Sequence, residues 1–279
     1  MTAFLLTTTM LFAPAQAAEL KLTNVRNTYG ELGGTRPDSK FLPGDVLFVG
    51  FDIEGITLGA DGRVQYRMLM EVNDKNAKQM FKQDPSDKVD YVPLGGNKLP
   101  GRAYVLIGQD MEPGTYTLKL TVTDNASKQT KSFEKGFEVT KKDFGIVGCY
   151  PSVDVHGQVP APTTGIVGQS IFIQFAIVGF EKDKDEKKKD PKNGFQPNVT
   201  VEFTPIGDDG KPTLAKPEIY TQNSDSQIKL EPNDAAINVR FLLPMTRAGK
   251  YTVRLKATDN NTQKTATFDL PVVVVPSAN

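Results

Sequence analysis

Few side chains in this sequence have a type and spacing that could do chemistry. His156 is the only histidine and Cys149 the only cysteine. One imidazole rules out a multi-histidine metal site within a chain, and the spacing of His156 from the lone Cys149 does not suit zinc. A Ser–His–Asp triad would have to run through His156, in PSVDVHGQVPAP, and no strained Gly-x-Ser-x-Gly nucleophile turn accompanies it. GQSIF (168–172) carries Gly-x-Ser but runs straight into a strand pattern. Asp52 and Glu54 share a strand face, and a two-carboxylate glycosidase would need such a pair about 5–9.5 Å apart in one cleft. Asp124–Asn125 and Asp259–Asn260 close two copies of one phrase. Asp52, Asp124 and nearby carbonyls could feed a calcium site, which needs about six converging oxygens. Asp52, however, is matched by Ala176 in the second copy, and Asp-Asn at a strand end also has a plain turn-forming role. The sequence therefore assigns no catalytic residue, no cofactor or cofactor-binding residue, and no metal ligand, calcium included.

These residues need a scaffold, and the bulk properties bound it. The chain has 279 residues, enough for two domains with separate cores. Thirty-three Lys and Arg balance thirty-three Asp and Glu, so the basic footprint of a nucleic-acid binder is missing. Beyond residue 17 no apolar run approaches the roughly 18–20 residues that span a bilayer. Residues 1–17, MTAFLLTTTMLFAPAQA, read as an export signal: a short apolar core, then Ala15-Gln16-Ala17 as a small-residue cleavage site. No lysine or arginine precedes that core, and no cysteine follows it to take a lipid. Cys149 has no intrachain disulfide partner, so a buried structural thiol is expected.

The elements that position the chemistry come in two copies. YTLKLTVTDN (116–125) returns as YTVRLKATDN (251–260), identical at six of ten positions. At the same offset Gly114 matches Gly249, Phe133 matches Phe268, and Val64, Tyr66 and Met68 match Val199, Val201 and Phe203. GDVLFVGFDIEG (44–55) matches GQSIFIQFAIVG (168–179) at a smaller offset, and the difference is a charged insertion, 181–194, in the second copy. The apolar period is two. Tyr116, Leu118, Leu120 and Val122 alternate with threonines and a lysine, as do Leu47, Val49, Phe51 and Ile53 with their neighbours. Such rows are strands with one face in a core. Seven or eight short strands per copy, punctuated by Gly, Pro, Asn and Asp, predict an all-β protein of two tandem antiparallel β-sandwich domains. The expected strands are 19–26, 45–54, 63–72, 88–92, 102–108, 115–123 and 130–139 in domain 1 (18–140). In domain 2 (141–279) they are 146–155, 169–179, 198–206, 217–221, 227–230, 236–243, 250–258 and 264–275. The short polar linker between them should restrict interdomain swing.

PGTYTLKLTVTDNASKQT (113–130) and AGKYTVRLKATDNNTQKT (248–265) resemble the penultimate-strand signature of bacterial immunoglobulin-like sandwiches, the PKD-like module in particular. The resemblance implies that Gly114 and Gly249 form the turn before the strand. It further implies that Tyr116 and Tyr251 fill the packed aromatic position, with Asp124, Asn125, Asp259 and Asn260 at the following hairpin. The chain departs from antibody domains in lacking tryptophan and a cysteine pair.

On this reading the protein is exported, secreted or periplasmic or at the cell surface, and not membrane-spanning. It is not an enzyme. It serves as a macromolecular binding module or structural spacer in the cell envelope, its partner an envelope or extracellular protein or a polysaccharide. The alternative is a carbohydrate-binding protein presenting Tyr29, Phe81, Tyr91, Tyr150 or Tyr220 to sugar rings. A strand-donating chaperone would need a long, unblocked hydrophobic edge. The insertion, with its mixed charges, is expected to be a solvated loop, and LGGNKLPGRAY (94–104) offers Lys98 and Arg102 on a second loop.

Overall fold

The computed structural model describes residues 19–96 and 98–277. Sixteen strands run through them: β1 (Lys21–Thr28), β2 (Lys40–Phe41), β3 (Val46–Glu54), β4 (Arg63–Asp74), β5 (Gln79–Tyr91), β6 (Lys98–Leu106), β7 (Gly114–Asp124) and β8 (Thr130–Val139), then β9 (Gly145–Ser152), β10 (Thr164–Ile166), β11 (Ser170–Val178), β12 (Val199–Gly207), β13 (Glu218–Gln222), β14 (Ala236–Pro244), β15 (Gly249–Asp259) and β16 (Thr265–Val275). A three-residue 3-10 turn at Glu186–Lys188 interrupts the charged insertion. No helix among the described residues is long and apolar enough to cross a membrane. The proposed export signal lies outside the described residues.

The protein is all-β and built as a multi-domain, β-sandwich-like assembly. Sheet β1-β3-β6 faces sheet β2-β8-β7-β4-β5, and sheet β9-β11-β14 faces β10-β16-β15-β12-β13. The second set repeats the wiring of the first strand for strand. Strands β2 and β10 are the short pieces that pair in parallel with the last strand of each copy. Both escaped the alternation signal because two or three residues are too few to show a period. Residues 227–230 form no strand; Leu230 instead tucks into the second core from a loop. Strand β5 is far longer than 88–92 predicts, since its side chains are exposed at every position but Ser86 and no apolar period marks it.

Each sheet pair encloses its own core. Leu47, Val49, Phe51 and Ile53 of β3 meet Leu118, Leu120 and Val122 of β7, all at most 1% exposed. Ile171, Ile173, Phe175 and Ile177 of β11 meet Val253, Leu255 and Ala257 of β15 in the second core. Burying each large side chain in these rows contributes roughly 1.5–3 kcal/mol, which is why the two-residue period survives in both copies.

Candidate functional site

The Asp-Asn pairs that close β7 and β15 lie within hydrogen-bonded turns. The Asp124 carboxyl accepts the Thr57 amide at 3.0 Å, the Thr57 hydroxyl at 2.6 Å, the Ala126 amide at 2.9 Å and the Ser127 hydroxyl at 2.7 Å. Asp259 repeats the pattern with the Glu181 amide at 3.1 Å, the Asn261 amide at 2.9 Å and the Thr262 hydroxyl at 2.8 Å. Both residues are fully buried. Burial pushes the Asp124 carboxyl up, but the bonds from Thr57, Ser127 and Ala126 outweigh it and hold the group below the ordinary carboxylate range. The repeated phrase thus ties the loop after the third strand of each copy to the hairpin after the seventh. Its oxygens face the chain's own donors, which is the turn role.

The other candidates lie apart. Asp52 accepts the Asn24 side chain at 3.3 Å, while Glu54 accepts the Thr23 hydroxyl at 2.9 Å and pairs with Lys98 at 2.8 Å. Both acids stand on the outward side of β3, opposite its buried row. His156 is exposed in a turn whose backbone amides, with those of Gln158 and Val159, converge on Asp154. Cys149 is buried, and burial pushes its thiol up. The five aromatics expected to meet sugar rings are dispersed. Phe81 and Tyr91 sit near opposite ends of β5, Tyr220 is half-buried on β13, Tyr29 is buried, and Tyr150 packs on Phe48 with centroids 6.1 Å apart. Strand β5 offers a long outer edge, yet Pro85 removes a donor at its middle, and Lys82 and Lys88 flank it; such features discourage strand addition. The charged insertion holds itself together, with Lys188 on Asp183 at 3.0 Å, Lys189 on Glu186 at 3.3 Å, and Lys189 over the Phe195 ring. Of the LGGNKLPGRAY pair, Lys98 is engaged by Glu54 and Arg102 lies 3.8 Å from Glu31.

Two regions carry built geometry that the sequence reading missed. The first is the joint between the sandwiches. The loop after β1 reaches across so that Tyr29 meets Phe268 edge-on at 5.9 Å and the Gly34 amide donates to Thr163 at 3.0 Å. Arg36 lies over Phe41 at 4.5 Å and over Phe268 at 5.5 Å, and is held by Asp38 at 3.0 Å and Asp45 at 3.5 Å. Asp45 accepts the Gly148 amide across the joint at 2.7 Å and the Val46 amide at 2.8 Å. Burial raises the Asp45 carboxyl, and Arg36 and the two amides offset that only in part. Two glycines make the approach possible. Gly148 forms a bulge in β9 at φ +59°, and a Cβ on Gly145 would stand 2.1 Å from the Leu42 methyl. Lys264 and Asp143 add an exposed bridge at 2.7 Å.

The second region is a cleft of about 510 Å³ at the end of the C-terminal sandwich away from the charged insertion. It is lined by Phe203, Leu214, Leu243, Met245, Val272 and Val274, with Glu218 and Arg247 also in its wall. Register explains why it is open. The strand positions of Phe41 and Phe137 in the first copy are occupied by Gly165 and Val272 in the second. In the first copy Phe137 stacks on Tyr116 at 5.6 Å and meets Phe41 edge-on at 6.2 Å, filling the space. In the second, Met245 covers Gly165, while Tyr251 stays half-buried with its hydroxyl bonded to the Arg247 carbonyl at 3.0 Å. Volume and apolar lining fall in the range of ligand-accepting clefts.

No protein-family model matches the chain, and no curated protein matches it. Similar solved structures include a family 123 glycoside hydrolase from Clostridium perfringens, studied for glycolipid glycan hydrolysis. It has a TM-score of 0.32 and 10% identity, over 44% of this chain and 27% of that one. Escherichia coli alpha-2-macroglobulin activated by porcine elastase gives 0.31 and 10%, over 94% of this chain and 22% of that one. This chain therefore spans about a quarter of either structure's length. Likeness at this level carries no argument about activity or partners, and the sandwich architecture rests on the strands themselves.

Proposed function

We propose that this is an exported, non-catalytic protein of two immunoglobulin-like, PKD-like sandwiches, working as a macromolecular binding module or spacer in the cell envelope. The carrying observation is the joint. Asp45 and Tyr29 are buried where the two sandwiches meet and the Arg36 side chain is nearly so, and the copies therefore present their loops and sheet faces in a fixed relation. A fixed relation lowers the ordering cost of binding a large partner and sets a defined span. The identical wiring of the two copies and the paired Asp124 and Asp259 clamps support the resemblance to the PKD-like module. Leader-like residues 1–17 support export.

The test is capture by immobilised protein from the host's envelope extract, with and without calcium, followed by protein and sugar analysis of the eluate. Saturable retention of one protein, chemically unchanged after release, is expected. Cleavage or modification of a retained component would overturn the non-catalytic reading. Saturable retention of polysaccharide instead would establish carbohydrate binding.

A further inference from the structure

The surface that the N-terminal sandwich uses to seat its neighbour is repeated on the C-terminal sandwich, where none of the described residues covers it. Strand register and equivalent turns set the correspondence. The turn Leu42–Asp45 and the turn Ile166–Gln169 close with the same backbone bonds, to Ile107 in one copy and Met245 in the other. On that map Tyr29, Leu42, Phe48 and Tyr104 become Val153, Ile166, Phe172 and Leu242. In the first copy Tyr29 is 8% exposed against Phe268, Leu42 overlies Gly145, and Phe48 packs on both Tyr104 and Tyr150. In the second, Val153 is 56% exposed and Ile166 43%, with Val159 and Val275 also exposed nearby, while Leu242 at 46% is as open as its equivalent Tyr104 at 50%. The apolar character of a docking surface has been kept through the duplication although its residues have changed, and a cluster of exposed apolar side chains marks an interaction site.

The chemistry of the joint says what can sit there. Its receiving side uses Gly145, Gly148 and Tyr150, and the N-terminal sandwich has Lys21, Asn24 and Arg26 at those places. Lys21 carries the Cβ that Leu42 leaves no room for at Gly145. Asp45, the acceptor for the Gly148 amide, is replaced by Gln169, whose side-chain oxygen is spent on the Ile166 amide at 2.8 Å. A second copy therefore cannot repeat the joint head to tail. The surface can instead meet itself. Glu218 and Arg247, of opposite sign, line the cleft to which Leu242 also belongs, so a two-fold contact can pair Arg247 with Glu218 of the partner subunit, and the reverse.

We propose that the far end of the C-terminal sandwich is a self-association surface, through which two copies of this chain form a closed, two-fold dimer. Val153, Ile166 and Leu242 form its apolar centre, with Arg247 paired to Glu218 of the partner subunit at its rim. The dimer goes beyond the envelope role and does not depend on it: purified protein associates whether or not any other partner exists.

The test is sedimentation velocity on the purified protein across a concentration series. A reversible monomer–dimer equilibrium is expected. Ile166→Lys and Leu242→Lys should each weaken it at least about tenfold, as central apolar contacts do. Both side chains are already exposed, so circular dichroism and the thermal transition should be unchanged. Val89→Lys, at an equally exposed apolar position on β5, should leave the dimer intact. A monomer at every concentration overturns the proposal, as does a dimer that survives both lysine variants. Species that keep growing with concentration also overturn it, because they report an open head-to-tail contact.

Discussion

The corresponding ends of the two sandwiches make the most instructive contrast in the molecule. In the N-terminal copy that end is packed with Phe41, Phe137 and Tyr116, roofed by Arg36 and covered by the second sandwich. In the C-terminal copy Gly165 and Val272 leave an apolar cleft, and Ala161 takes the place of Arg36. The backbone bonds that close the adjoining turns are the same in both. Duplication has therefore kept the clamps that fix backbone geometry and let side-chain volume diverge where the two copies face different surroundings. A filled end serves as a joint, and an open end leaves an apolar cleft.

The contrast can be broken most severely from the filled side. Phe137→Ala should remove about 3–5 kcal/mol from the N-terminal sandwich, the usual cost of deleting a buried aromatic. By calorimetry, the transition of that sandwich should fall. Because Tyr29, Arg36 and Asp45 couple the copies, the second transition should fall with it by a smaller amount. A second transition that does not move would show that the joint transmits no stability.

The shared clamp is the next largest effect. Asp124→Asn and Asp259→Asn should each cost about 2–3 kcal/mol near neutral pH, since each weakens charge-assisted bonds to buried donors. For Asp124 the pH dependence has a defined sign. Its native carboxyl titrates below the unfolded value of 3.8, so its contribution is complete above that value and is lost as pH falls through the lower native one. Urea midpoints measured across the acid range should therefore drop less steeply for Asp124→Asn than for the parent. Parallel acid limbs would show that the Asp124 bonds do not favour the ionised form.

The smallest effect sharpens the contrast from the open side. Val272→Phe restores the first copy's residue at the wall of the cleft and should stabilise the C-terminal sandwich by about 0.5–1 kcal/mol, as cavity-filling changes do. A lower denaturation midpoint would mean that Met245 and Tyr251 already use the space and that the cleft cannot take an aromatic group.

Much of the scaffold was legible in the sequence. Leu47 to Ile53 and Tyr116 to Val122 announce strands because a sheet with one buried face imposes a period of two. The phrase ending in Asp124 and Asp259 shows the duplication because those carboxyls are clamps that neither copy can lose. Strand β5 ran beyond its predicted bounds because both its faces meet water, and Leu230 was placed on a strand because an isolated buried residue has no period to distinguish it from one. The expected aromatic platform failed for a related reason. Burial of Tyr29 and Tyr150 is decided by the neighbouring sandwich, and strand order puts Phe81 and Tyr91 at opposite ends of β5.

The β-sandwich scaffold, its duplication, the chain's electrical neutrality and the turn role open to the Asp-Asn pairs can all be read from the residues alone. All of these follow from local alternation and from residues a few positions apart. It took the folded chain to show that Asp45 reaches Gly148 across a joint, that Gly145 makes room for Leu42, and that Val272 lines an open cleft beside Met245, which covers Gly165. Those relations join residues about a hundred positions apart, and they depend on which strands become neighbours and which ends are covered. Hydrophobic alternation tells a side chain which face of its sheet it occupies; it does not tell it what stands opposite.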